Sequence, residues 1–393
     1  MANSIQHGEV LVGDCIQTLR QKHKIKRSEY LPSGTIPVID QGQDFIPGYI
    51  NDTERAYDGD LPILVFGDHA CTVKYVDFPF AIGAEGTQLI RPTKEFDIRY
   101  FYYALRNLPL EQFGYQRHFK YLKTAKVFCP QMRVQCKIAA ILGTYDDLIE
   151  NNTRRIKILE EMAQTLYQEW FVHFRFPGHE KVPRIESPLG PIPQGWEIGE
   201  LGNLAESIRR TVKPSDVKQE TPYFGLKHFP RKSIALSNWD TVDSVNSTSL
   251  AFKKGEILFG KIRPYFHKVG VAPLDGICAP SAIVMCPPKN EHFAITLSCV
   301  SSEHFIAYAT AISQGTTMPS VKWNVLAKYP VVLPPLALSQ QFNNLVQDMV
   351  DKIHNLIFRN KKLRQTRDLL LPKLISGEID VSELDVTDDP KSN

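Results

Sequence analysis

A set of short stretches combines cationic side chains with planar hydrogen-bonding ones: RQKHKIKR (20–27), DQGQ (40–43), YQRHFKYLK (115–123), RRTVK (209–213), KHFPRK (227–232), KIRPYFHK (261–268) and SQGTTMPSVKW (313–323). Lys and Arg neutralise phosphates, whereas Arg, Gln, Asn, Asp and His pair with base edges in a DNA major groove. Singly, each stretch is an ordinary solvated loop. Their recurrence just before two long helices and near the first strands of each half points to DNA contact.

Other chemistry finds no home. GEILFGKI (255–262) has the spacing of a phosphate-binding loop, but Ile262 stands where Ser or Thr must hold magnesium, and the intervening residues favour a strand. FGDHA (66–70) sets Asp68 beside His69 with no further His or carboxylate at ligand spacing. No N-P-P-[YF], F-x-G-x-G, G-x-S-x-G or H-E-x-x-H appears, nor a deaminase signature. No catalytic residue, metal site or cofactor is expected in this chain.

The elements that must position the clusters are legible as a duplication. Steps of four and three residues pick out Ile138, Leu142, Tyr145, Ile149, Asn152, Ile156, Leu159, Ala163, Leu166 and Trp170, all apolar but Asn152. This 3.5-residue repeat predicts a long helix with a coiled-coil seam, roughly 50 Å in length. Aligning Pro130 with Pro334 carries the seam onto Phe342, Val346, Met349, Ile353, Leu356, Asn360, Leu363, Arg367, Leu370 and Leu374, apolar but for Asn360 and Arg367. KYLKTAK (120–126) likewise resembles KWNVLAK (322–328), LVGDCI (11–16) resembles ELGNLA (200–205), and VFGD (65–68) resembles LFGK (258–261).

Neither helix has a sequence-adjacent partner, so the two are expected to cover each other. The interface would run through Leu142, Ile149, Asn152, Ile156, Leu159, Leu166, Val346, Ile353, Asn360, Leu363 and Leu370. Asn152 and Asn360 would fix register at some cost in stability.

Around the helices, each half reads as short strands punctuated by Gly and Pro. TIPVI, PILVF, FAIGA and TQLIRP lie in the first half; EILFG, HKVGVA and AIVMCPP lie in the second. Core helices are expected over 97–108 and 302–313. The fold class is α+β: two tandem mixed α/β domains separated by a pair of long antiparallel coiled-coil helices with pseudo-twofold symmetry. The expected boundaries are 1–130, a long helix over 131–178 ended by Pro177, an exposed Pro/Gly-rich linker over 179–195, a second domain over 196–335, a second helix over 336–378, and a disordered acidic tail over 379–393.

Length and composition agree. A chain of 393 residues holds two or three cores, and 43% apolar with 23% charged residues is globular. The net charge of +3 requires any basic surface to be local. The seven cysteines include no C-x-x-C pair and read as reduced thiols. No signal peptide or membrane-length apolar run is visible, so a soluble, cytoplasmic protein is expected.

The ordered combination of two helices after Pro130 and Pro334, FRFPGHE followed by SPLGPIPQGW, and LLLPKLISGEI (369–379) resembles the specificity subunit of Type I restriction-modification enzymes over nearly the whole chain. IPVIDQGQDFIPGY, LVFGDHACTVKY and YQRHFKYLK resemble one subclass of target-recognition domain.

The resemblance implies two target-recognition domains, each reading half of a bipartite site in double-stranded DNA, with the helix pair setting the spacer. A separation near one DNA turn, about 34–36 Å, suits this. It also implies a non-catalytic subunit that recruits two modification (methyltransferase) subunits using S-adenosylmethionine, and restriction subunits using ATP and Mg, with no membrane partner. The DNA-binding residues selected are Gln41, Gln43, Asp68, His69, Lys74, Arg117, His118, Lys120 and Lys123 in the first domain. In the second they are Lys227, His228, Lys261, Arg263, Tyr265, Gln314, Thr316, Thr317, Lys322 and Trp323. Tyr121 aligns with Trp323, and either is a reader or a core aromatic.

Overall fold

The computed structural model describes residues 8–19, 23–84, 86–110, 118–242 and 247–385. Two compact units divide the chain: residues 1–148 with 363–393, and residues 149–362. Both long helices therefore contribute to both units, where the sequence pattern suggests helices separate from the domains.

In the first unit, strand Gly8–Leu11 pairs antiparallel with Lys126–Cys129. A four-stranded sheet follows in the order Ile16–Leu19, Thr87–Pro92, Ile63–Gly67, Thr72–Val76, and a three-stranded sheet in the order Gly48–Ile50, Ile36–Ile39, Ala81–Ile82. The last two of these strands are parallel. Ile63–Gly67 is an unbroken apolar run buried along its length, as a strand covered on both faces must be. Helix Ile98–Arg106 starts where the Asp97 carboxylate accepts from Tyr100 N at 2.7 Å, and it buries Tyr100, Phe101, Tyr103, Ala104 and Leu105.

The second unit repeats this plan. Glu197–Glu200 pairs with Pro330–Leu333. A four-stranded sheet runs Glu206–Ser207, Ala282–Cys286, Ile257–Gly260, Val269–Val271, and a five-stranded sheet again contains one parallel pair, Pro222–Phe224 with Gly276–Cys278. Helix Glu303–Ala311 is capped by Ser302, whose hydroxyl accepts from Phe305 N at 3.2 Å. Helix Phe293–Val300, which has no counterpart among the described residues of the first unit, is buried on all sides.

Helix Met132–Tyr167 continues into a π-helical turn, Gln168–Val172, and stops there rather than at Pro177. The chain turns through Phe174 at φ 57°, and the Arg175 guanidinium closes on Glu169 at 2.6 Å. The following segment is not the expected exposed linker. Strands Arg184–Ile185 and Ile192–Pro193 form a ribbon, and Phe176, Ile192 and Trp196 are buried with Trp170 and Phe171. The aromatic density of FRFPGHE, close in sequence to a tryptophan, outweighs its Pro/Gly content.

Helix Leu336–Ile375 runs beside the first helix in each unit. In the second unit Phe342 packs on Trp170 and Phe171, while Asn152 Nδ2 donates to Asn360 Oδ1 at 2.8 Å, so the segments run antiparallel there. Ile149, Asn152, Ile156, Val346, Ile353 and Asn360 are buried; Leu159 and Leu166 are half-buried against the same clusters. In the first unit Leu142 is buried with Leu371, Leu374 and Ile375, and Leu363 and Leu370 are half-buried.

The expected tail begins later than composition suggests. Ile379 packs on the first unit's core, Val381 is buried, and Lys137 Nζ donates to Ser382 O at 2.6 Å. All seven cysteines are free thiols. Among the described residues no helix is long and apolar enough to cross a membrane.

Candidate nucleic-acid interface

In the first unit the polar clusters gather around the ends of strands Ile63–Gly67 and Thr72–Val76. Lys74 shares the face of buried Val76, and its side chain points inward. Its Nζ donates to Asp40 O at 2.9 Å and Asp44 O at 2.6 Å, holding the 40–44 turn against the sheet. Burial pulls the Lys74 pKa below the usual lysine value, opposed by Asp40 and Asp44. The Asp40 carboxylate accepts from Gly42 N at 2.8 Å and from the Tyr30 hydroxyl at 3.2 Å.

Asp68 is 3% exposed, and its carboxylate accepts from Phe119 N at 2.7 Å at the start of helix Phe119–Thr124. His118 is buried with its Nδ1 donating to Asp68 O at 2.8 Å. Asp68, Lys74 and His118, selected above as readers, are thus corrected: their polar atoms point into the domain, where desolvated groups hold the turns that carry the exposed residues. Alternation along TVKYV was the sequence signal for Lys74; nothing in FGDHA separates inward Asp68 from outward His69.

Gln43, His69, Lys120 and Lys123 are exposed and Gln41 is half-buried, whereas Arg117 lies outside the described residues. Lys123 lies over the Phe119 ring at 4.8 Å. Gln41 and His69 line a recess of about 600 Å³ together with Lys26, Arg27, Tyr30, Asp40, Gly42, Ala70 and Ala84. Lys26, Arg27 and Tyr30 were missed: RQKHKIKR stood out as a basic stretch, but composition alone did not say which of its residues face the recess.

In the second unit a loop is held at both ends. Gln314 and Ser320 exchange backbone hydrogen bonds at 2.9 Å, Val321 N donates to Lys261 O at 3.1 Å, and Gly315 takes φ 107°. Arg263, itself at φ 50°, donates from its backbone N to Pro319 O at 2.7 Å and from its guanidinium to Thr317 O at 3.1 Å. Gln314, Thr316, Thr317 and Lys322 are exposed, Met318 is 63% exposed, and Tyr265 is 50% exposed beside Phe266. Lys261 and Arg263 are half-buried at the loop's base.

Lys227 is exposed and pairs with Asp240 at 2.6 Å, while His228 accepts from Gly225 N at 3.0 Å. Burial lowers the His228 pKa, partly offset by Asp240. Leu226 O accepts from Lys268 Nζ, which brings this segment to the same sheet end as the loop. Trp323 is half-buried against the core, whereas Tyr121 is 49% exposed.

The arrangement can bind an anionic, hydrogen-bonding surface. Gly255–Gly260 forms a turn and a strand, not a phosphate cradle, and among the described residues no group of three metal-ligating side chains forms.

Residues 9–161 match the model of the family described as the Type I restriction modification DNA specificity domain. Over 282 residues the chain is 27% identical to the Type I restriction enzyme MjaIX specificity subunit of Methanocaldococcus jannaschii, covering 67% of this chain and 62% of that protein. It is 26% identical over 200 residues to the EcoDI specificity subunit of Escherichia coli, covering 49% and 44%. The chain thus spans less than two thirds of the length of these relatives. The crystal structure of the Type-I restriction-modification system S subunit from M. genitalium aligns with a TM-score of 0.58 at 15% identity, over 95% of this chain and 97% of that one, and so shares its fold.

Proposed function

We propose that the chain is the non-catalytic DNA-recognition subunit of a Type I restriction-modification complex. The first unit reads one part of a bipartite double-stranded site and the second reads the other. The observation that carries this reading is the repeated strand order in both units, each ending in loops rich in phosphate- and base-binding side chains. The helix pair sets the unread spacer and docks two modification subunits, which carry S-adenosylmethionine; restriction subunits supply ATP- and Mg-dependent steps. The exposed Gln43, His69, Lys120, Lys123, Tyr265, Thr316 and Thr317 contact DNA together with half-buried Lys261 and Arg263, and Arg117 joins them.

The test is methylation mapping after one unit's recognition segment is replaced by that of a related subunit. Half of an asymmetric methylated motif changes and the other half stays. A change in both halves, or in neither, removes the modular reading.

A further inference from the structure

We infer that the clipped loop of the second unit, residues 314–320, grips one DNA backbone phosphate with the hydroxyls of Thr316 and Thr317 and the backbone N–H of Met318, an inference that rests on the recognition role proposed above. The Arg263 guanidinium, whose Nε is buried, donates to Thr317 O at 3.1 Å and draws that carbonyl toward the base of the loop. The peptide that follows is trans, so the Met318 N–H points the opposite way, away from Arg263. This N–H makes no hydrogen bond within the protein, and Met318 is 63% exposed. Thr317 Oγ1 is tied to the same nitrogen through the chain of a single residue, so both donors can reach one phosphate. Thr316 stands beside them; both threonines are exposed, and no protein group engages their hydroxyls. The backbone bonds at Gln314, Ser320 and Pro319 hold this presentation in place.

A phosphate suits these groups better than a base edge. A Thr hydroxyl pairs with either base and so carries little code, whereas hydroxyls and main-chain N–H groups are common partners of phosphate oxygens. The surrounding charge agrees. Lys261, Arg263 and Lys322 beside the loop form no ion pair among the described residues, and no Asp or Glu occurs over 257–274 or 304–347. An anion meets no carboxylate from either segment, and the unpaired cations favour its approach.

The experiment measures affinity of the full chain for duplexes of its methylated motif in which each phosphate in turn is replaced by an uncharged methylphosphonate. Along the half assigned to the second unit, neutralising one phosphate weakens the wild-type chain about tenfold. The doubly substituted chain, Thr316→Val with Thr317→Val, keeps the side-chain shapes and the Met318 N–H. For it the same replacement costs at most about threefold, and its own loss of affinity is equal for motif and scrambled duplexes. The inference is overturned if no phosphate of that half is sensitive, if the tenfold penalty persists in the doubly substituted chain, or if that chain loses affinity for the motif alone, which would make the threonines base readers. Equal binding of motif and scrambled duplexes by the wild-type chain would instead overturn the recognition reading itself.

Discussion

The two units reach the same strand order with opposite polar architecture at the end of their central strand. Asp68 and Lys261 occupy the equivalent position, each one residue past that strand. In the first unit Asp68 is buried and its carboxylate starts a helix; in the second Lys261 is half-buried and its carbonyl accepts from Val321 N at the base of the following loop. The first unit fixes the end of its sheet with desolvated side chains and presents a recess. The second fixes the same end with backbone bonds at Lys261 and Arg263 and one from the Arg263 guanidinium to Thr317 O, and presents an exposed loop. Duplication conserves the frame while leaving the end of each sheet free to diverge, because strand pairing depends on backbone and core whereas loop ends depend on a few polar contacts.

The sharpest way to break this comparison is Lys74→Met, which leaves the Asp40 and Asp44 carbonyls without their donor. Stability should fall by about 3 kcal/mol in denaturant titration, and DNA affinity should fall with it. Next, Arg263→Ala releases the Thr317 carbonyl and should weaken binding by about 1–3 kcal/mol with a small change in stability. Normal affinity in Arg263→Ala would mean that the clipped loop does not read DNA.

The equivalent pair then separates the two designs. Asp68→Ala removes the acceptor of Phe119 N and should cost about 1 kcal/mol of stability. Lys261→Ala should leave stability within about 0.5 kcal/mol but reduce the salt slope of DNA binding by about 0.9. Matching behaviour of both variants would erase the contrast.

The smallest effect concerns protons. Burial lowers the pKa of His228, His267 and His354 in the second unit, so these side chains fold neutral. The unfolded chain takes up protons as pH falls through about 6.5. Their contribution is therefore complete above that value and is lost progressively as pH drops toward the folded pKa values. Chemical denaturation at pH 7.5 and 5.5 should show lower stability at the acid value, and His354→Leu should flatten the difference.

The sequence made the frame readable because it is written in periodicities. The heptad seam and apolar strand runs carry their own burial information, and the expected strands and core helices match observed ones. Less was legible where a polar residue's direction matters. Lys74, Asp68 and His118 have the composition of readers, but partners distant in sequence turn them inward. Gln41 was selected, yet its packing against Gly86 and the bond its oxygen accepts from His69 N depend on three separate turns. Arg27 went unselected because a basic run does not tell which member faces a recess.

The division of the long helices has a consequence for synthesis. The second unit is one continuous segment, residues 149–362, whereas the first needs residues 363–385 to cover Leu142 and Ile138. Of the two units, the one that starts earlier in the chain is therefore the later to be completed. Until Leu371, Leu374, Ile375 and Val381 have left the ribosome, the nascent first unit keeps an apolar face uncovered, and a frameshift after the second unit would damage the first.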